Sequence, residues 1–276
     1  MDTRLAFLLA AACIGMAQAA RAINCPAVTR VGISDLGYSA YQDDGGYHGT
    51  AVDLVAELGR RTGCRFRIEW FPRGRLFAEF YKGKVDIAMA SLRNAERDHY
   101  ASWIPYTYTQ FDLLLTRQNA GSYASLADFV DRGTGRLNVI RGVASTPAAA
   151  AQLERLEKLG RVEYVSDYGV VFKKILAGRA EGTLAPPVIH LMYLHRLGIE
   201  DRIKTMPIAE WPRIVIGAYA SNASLSGEVR KAYAGAFYAM VSDGTVLKIY
   251  ERYLGPEMAR AVFAGGVREI LDAYPR

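Results

Sequence analysis

Residues 30–70 read RVGISDLGYSAYQDDGGYHGTAVDLVAELGRRTGCRFRIEW. Val31 and Ile33 alternate with polar or small neighbours, as a half-buried strand does. Ala51, Leu54, Val55 and Leu58 then fall at i, i+3, i+4 and i+7, the stripe of an amphipathic helix, and Gly63 ends it. Phe66, Ile68 and Trp70 alternate again. Strand, helix and strand in this order predict a right-handed βαβ unit whose two strands lie parallel.

The same alternation runs on in both directions. Leu76, Phe77, Phe80 and Tyr81 form a second helical stripe stopped by Gly83. Residues 85–90 (VDIAMA) and 111–115 (FDLLL) read as buried strands. After the polar stretch 118–122 a second block opens, with strands at 137–140, 162–165 and 182–185. Helices are predicted at 148–159, 170–177 and 187–197, the last opened by Pro187. A strand at 213–220 leads into two C-terminal helices, from Ser224 and from Asp243. The expected class is α/β with mostly parallel sheets flanked by helices. The expected organisation is a two-lobed chain that crosses over and returns, with lobe 1 at 23–115 plus 216–276 and lobe 2 at 116–215.

The first 22 residues stand apart. Arg4 gives a positive start, Leu5 to Ile14 is a short apolar run, and A-x-A sites stand at Ala17 to Ala19 and Ala20 to Ala22. This is the layout of a secretory signal peptide cleaved near Ala19 or Ala22. The run is shorter than the roughly 20 residues that span a bilayer. The rival, a lipoprotein signal ending at Cys13, lacks the usual leucine three places earlier. Cys25 and Cys64 then remain as a pair, each just before one strand of the βαβ unit and at the same sheet edge. In an oxidising compartment they are expected to form a disulfide, the alternative being two buried thiols. The net charge of +6 is spread without a basic run, so no nucleic-acid partner is expected.

Several segments, in order along the chain, resemble family 3 of the extracellular solute-binding proteins, the polar-amino-acid type of periplasmic binding protein. The opening strand, aromatic turn and first helix at 30–63 resemble that family's D-x-x-Y-P-P-F turn and its following G-F-D-V-D-L. FYKGKVDIAMAS (80–91), NAERDHYASWIPYT (94–107), KKILAGRAEG (173–182) and SDGTVLKIYERYLG (242–255) resemble further family segments. The resemblance implies a two-lobed fold in the periplasm whose cleft closes on a small solute, with no cofactor. It also implies delivery to a membrane permease of the ABC type, and a monomer.

By the same resemblance Tyr41, and with it Tyr38 and Asp35, is expected beside the ligand, where an aromatic face packs on the solute. Ser91, Arg97 and the neighbouring Arg93 are expected to grip a carboxylate, a guanidinium fork being matched to two oxygens. Of Arg73 and Arg75 at a helix start, Arg75 is the expected cleft residue. Gly142, Ser145 and Thr146 belong to the turn that offers N–H groups and a hydroxyl. One departure bears on the ligand. Where the family commonly ends a strand in an Asp that binds the α-ammonium, this chain has Ala185 and Pro186, with Glu181 at a structural position of the motif. An anionic solute without an amine is thereby favoured.

The four histidines form no metal-binding spacing, since His190 and His195 are not on one helix face, and no nucleophile motif is present. The alternatives to transport are a periplasmic accessory or sensory partner with this fold, for example of a redox enzyme system, and a dehydratase-type enzyme. The latter would need an acid or base such as Asp35, Asp167 or Glu210 in the cleft.

Overall fold

The computed structural model describes residues 23–121, 123–141 and 145–275. The leader segment and Gly142 lie outside the described residues. In chain order the first half comprises β1 (Thr29–Ile33), β2 (Tyr41–Asp43), β3 (Gly46–His48), α1 (Thr50–Thr62), β4 (Phe66–Trp70), α2 (Arg73–Tyr81), β5 (Ile87–Leu92), α3 (Ala95–Asp98) and β6 (Ala101–Thr109). There follow β7 (Asp112–Thr116), α4 (Leu126–Arg132), β8 (Leu137–Ile140), α5 (Pro147–Lys158), β9 (Val162–Val165), α6 (Tyr168–Leu176), β10 (Gly182–Ala185) and α7 (Pro187–Leu197). The chain ends in β11 (Ile203–Pro207), β12 (Ile214–Ser221), α8 (Gly227–Ser242), α9 (Thr245–Val262) and α10 (Arg268–Asp272).

These strands build two five-stranded sheets, ordered β4-β1-β5-β12-β6 and β11-β7-β10-β8-β9. The opening βαβ unit is present as read: β1 and β4 pair in parallel, Val31 opposite Ile68 and Ile33 opposite Trp70. α1 lays Ala51, Leu54, Val55 and Leu58 into a core shared with Phe237 of α8 and Ile249 of α9. Gly63 ends α1 in the left-handed conformation, φ 72°, which costs glycine little. The disulfide joins Cys25 to Cys64 with Cα atoms 5.5 Å apart, tying the approaches to β1 and β4.

Each sheet is mixed. In the first, β1 pairs in parallel with β4 and β5, while β12 runs antiparallel to β5 and β6. In the second, β8 is parallel to β9 and β10, while β7 is antiparallel to β10 and β11. The reversed strands are those by which the chain enters or re-enters a sheet after crossing. β7 belongs to the second sheet, so the first crossing lies at Gln110 and Phe111, before the boundary expected after residue 115. The return runs between Pro207 and Ile214. FDLLL is buried on both faces, and nothing in it says which sheet will bury it.

Besides the short β2–β3 hairpin, two strands of the large sheets escape the sequence reading. β6 contains Pro105, which argues against an interior strand, yet β6 is the edge of its sheet, where a missing N–H costs no ladder bond. β11 ends in Pro207 and is likewise an edge. Gly255, φ 75°, and Pro256 break α9, so its last turns head off on a new axis after the predicted end near Leu254.

Candidate functional site

The two sheets face each other across a cavity at the crossing strands. Its first-sheet wall comes from the turn after β1, the start of α2 and the end of β5; its second-sheet wall comes from Tyr168 at the start of α6 and Pro186, Val188 and Ile189 at the start of α7. Phe111 and Thr109 from the first crossing close one side. The space measures about 80 Å³ and is partly open to solvent. Most of the wall is hydrocarbon or aromatic ring, including Leu36, Phe77, Leu92 and Ile216.

Two guanidinium groups enter this apolar space, those of Arg73 and Arg97. Arg73 is the first residue of α2, following Pro72, which holds φ −54° and ψ 139° at the cap. Its Nη2 donates to the Ala90 carbonyl at 2.7 Å and its Nη1 to the Met89 carbonyl at 3.3 Å. Burial, and then the positive charge of Arg97, push the Arg73 guanidinium down to about 10, so it is still a cation at neutral pH. Arg97 lies on α3, whose first turn is capped by the Asn94 side chain accepting from the N–H groups of Glu96 and Arg97. Its guanidinium carbon sits 3.7 Å from the centroid of the Phe77 ring, and that of Arg73 sits 5.0 Å from the same ring. Nε of Arg97 is buried with no hydrogen-bond partner. Neither arginine forms an ion pair among the described residues.

A bulge in β5 decides which of its side chains reach the cavity. Ala88 pairs with Tyr219 and Ser91 with Gly217, so β5 carries one residue more than β12 over this span. Ala90 takes up the excess with φ 52°, a left-handed backbone on a residue with a Cβ. Ala90 and Leu92 therefore line the cavity, and Ser91 does not. The Ser91 hydroxyl is buried against its own strand and donates to the carbonyls of Ala88 at 3.2 Å and Met89 at 3.3 Å. This corrects its expected ligand role.

The other expected residues divide. Arg97 lines the cavity. Of the α2 pair, Arg73 rather than Arg75 faces the cavity: Arg75 is exposed and lies 3.6 Å from Glu79, one turn along the helix. Arg93 is exposed, pairs with Asp98 at 2.8 Å and lies over the Trp103 ring, away from the cavity. Thr146 caps α5, accepting from the Ala149 N–H, and its hydroxyl donates to the Glu210 carbonyl. Ser145 lines an adjoining cavity of about 200 Å³ with Leu153, Tyr164 and Trp211, which shares Phe111 and Tyr168 with the first.

Asp35, Tyr38 and Tyr41 sit at the seam between the two halves and do not line the cavity. Asp35 accepts a 2.6 Å hydrogen bond from the Tyr193 hydroxyl of α7 and a longer one from the Gly37 N–H. Tyr41 stacks on His48 across the β2–β3 hairpin, and the Arg196 guanidinium of α7 lies 4.6 Å from its ring centroid. Tyr38 contacts Tyr41 and Tyr253. The fit is close enough that a Cβ on Gly37, φ 59°, would lie 2.5 Å from the Ile189 Cα. Sequence reasoning missed the part Tyr168 and Phe77 play in the cavity wall. Phe77 was visible only as a member of the α2 stripe, and Tyr168 as a residue at a helix start.

The family model for bacterial extracellular solute-binding proteins, family 3, matches residues 30–256. No curated protein sequence matches. Among solved structures, an ancestral arginine-binding protein bound to arginine superposes with a TM-score of 0.69 at 18% identity, covering 83% of this chain and 99% of its own. The ancestral amino-acid-binding protein AncCDT-1, a precursor of cyclohexadienyl dehydratase, gives 0.66 at 22% identity over 83% and 96%. The arginine-, lysine-, histidine-binding protein ArtJ from the thermophilic bacterium Geobacillus stearothermophilus gives 0.66 at 17% identity over 82% and 95%. At these identities the superpositions establish the shared fold.

Proposed function

The chain belongs to the bacterial extracellular solute-binding proteins of family 3, and from that premise we propose that it captures a small polar or anionic solute, an amino acid or organic acid, by closing its cleft. The loaded protein then hands the solute to an ABC-type permease. Members of this family are extracellular or periplasmic, which agrees with a leader that directs the chain out of the cytoplasm. No helix among the described residues is long and apolar enough to cross a membrane.

The observation that carries this reading is the pair of cationic groups, Arg73 and Arg97, placed without carboxylate partners in a cavity walled by both halves of the molecule. A solute that touches both walls binds the closed form better than the open one, and that difference is what shifts the population. The two crossing segments, at Gln110–Phe111 and 208–213, are the hinge.

Thermal-shift screening of the mature protein against amino acids, organic acids and polyamines tests the reading. A ligand at 100 times its Kd adds about 2.7 kcal/mol of stability. The expected result is a hit that is recovered chemically unchanged and that compacts the protein in small-angle scattering. A hit that is converted to product, or no hit together with tight capture of a protein partner, would replace transport by catalysis or by an accessory role.

A further inference from the structure

We infer that the cleft selects organic anions with an apolar or aromatic body and no α-ammonium group, held by Arg73 and Arg97 together. The inference rests on the solute-binding reading above and narrows it to a ligand class.

The charge balance of the cavity is one-sided. Two guanidinium groups converge on one face of the site, both within 5.0 Å of the Phe77 ring centroid. Their mutual repulsion is part of what lowers Arg73. A carboxylate between them offsets that repulsion and satisfies the buried Nε of Arg97 with a charge-assisted hydrogen bond. Arg73 is held in place for this by its bonds to the carbonyls of Met89 and Ala90. The Phe77 ring, 3.7 Å from the Arg97 guanidinium carbon, restrains that fork by cation–π contact.

An ammonium group finds no such partner. The described lining contains no Asp or Glu, and the residue that follows β10 at the wall is Pro186. Three acids near the cleft are engaged elsewhere. Asp35 accepts from Tyr193 and Gly37. Asp167 accepts from Ser166 and the Val170 N–H. Glu210 accepts from the N–H groups of Leu126 and Ala127. An ammonium in the cavity would lose its hydration and lie beside two cations.

The remaining walls suit hydrocarbon. The β5 bulge turns the Ser91 hydroxyl inward and presents Ala90 and Leu92. Ile189 and Ile216 complete a surface that rewards apolar contact.

Isothermal titration of the mature protein with matched pairs tests this: 3-phenylpropanoate against phenylalanine, and 4-methylpentanoate against leucine. Each pair shares a carbon skeleton and differs in the amine. The expected result is at least tenfold tighter binding of the amine-free acid in one pair. That affinity should fall at least tenfold in Arg73→Met, and also in Arg97→Lys, which keeps the charge but loses the fork. Amino acids that bind as tightly as their amine-free partners in both pairs overturn the inference and leave the solute-binding reading standing. So does full affinity in both variants. If neither acid binds, nor any member of the wider solute screen, the inference and the reading fall together.

Discussion

The Phe111 ring lies face to face with the Trp211 indole, centroids 3.7 Å apart and planes 11° from parallel. Phe111 stands on the outgoing crossing between the sheets and Trp211 on the return, so this stack binds the two crossing segments to each other. The Phe111 N–H also donates to the Trp211 carbonyl at 3.4 Å. Both side chains are buried. Trp211→Ala is expected to cost about 3–5 kcal/mol, the usual price of emptying a large aromatic site. Trp211→Phe should cost clearly less, because it keeps a ring in the stack and removes an indole N–H that is buried without a partner. Urea unfolding of both variants checks the order. Equal losses would show that the stack contributes nothing specific.

How far the sequence was legible follows from where its signals were local. Ala51, Leu54, Val55 and Leu58 placed α1, and Cys25 and Cys64 placed the disulfide, because each reading needed only nearby residues and one strand pairing. β6 was hidden because Pro105 speaks against a central strand, and edge position is a property of the assembled sheet. Ser91 failed as a site residue for a similar reason. Its face is set by the register of β5 against β12, and the extra residue at the bulge reverses the alternation that a sequence reading assumes. Arg73 and Arg75 are two apart on one helix, so only one can face the cleft, and the sequence contains no signal for which.

The left-handed backbone of Ala90, φ 52°, yields a stability prediction at the cavity wall. A residue with a Cβ pays about 1–2 kcal/mol for this conformation, and glycine does not. Glycine loses part of that gain through its larger unfolded-state entropy. Ala90→Gly is therefore expected to stabilise by about 0.5–1 kcal/mol, and Ala90→Val to destabilise by more than that. Calorimetric melting of the pair checks the signs. A destabilised glycine variant would show that the bulge is held without strain.

Reduction of the Cys25–Cys64 bridge releases a loop with a sequence separation of 39 residues. The chain-entropy relation gives a loss of about 4 kcal/mol. The double variant Cys25→Ser with Cys64→Ser should show that loss in urea unfolding, and dithiothreitol should reproduce it in the unmodified protein. Because the bridge lies at the far ends of β1 and β4 from the cavity, ligand affinity measured on the folded fraction should change little.

His190 and Asp112 form a buried pair, Nε2 to Oδ2 at 2.9 Å, that joins α7 to the first residue of β7. The other ring nitrogen, Nδ1, is buried with no partner. Removing the carboxylate strands the imidazole in an apolar surrounding. Asp112→Ala is expected to cost about 1–3 kcal/mol, the cost of leaving a buried polar group without its partner, and Asp112→Asn less, since the amide oxygen still accepts a hydrogen bond. Chemical denaturation at pH 7 measures both. An alanine variant within 1 kcal/mol of the parent would mean that the pair is redundant.

Asp35 supplies the pH prediction. Burial raises its carboxyl above the ordinary value, and the hydrogen bond from Tyr193 offsets only part of that. Asp167 adds to the rise, and Arg196 opposes it. The folded protein therefore holds the Asp35 proton more tightly than the unfolded chain does, whose carboxyl titrates near 3.9. The sign follows from linkage. This group's favourable contribution is complete below the unfolded value and is lost as pH rises through the higher folded value. Asp35→Asn removes the titration and keeps an acceptor for Tyr193. Its melting temperature is expected to exceed that of the parent at pH 7, and the gap should close as pH falls toward 4. A gap that widens on acidification would mean that the ionised carboxylate, through its bond to Tyr193, stabilises the seam more than burial penalises it.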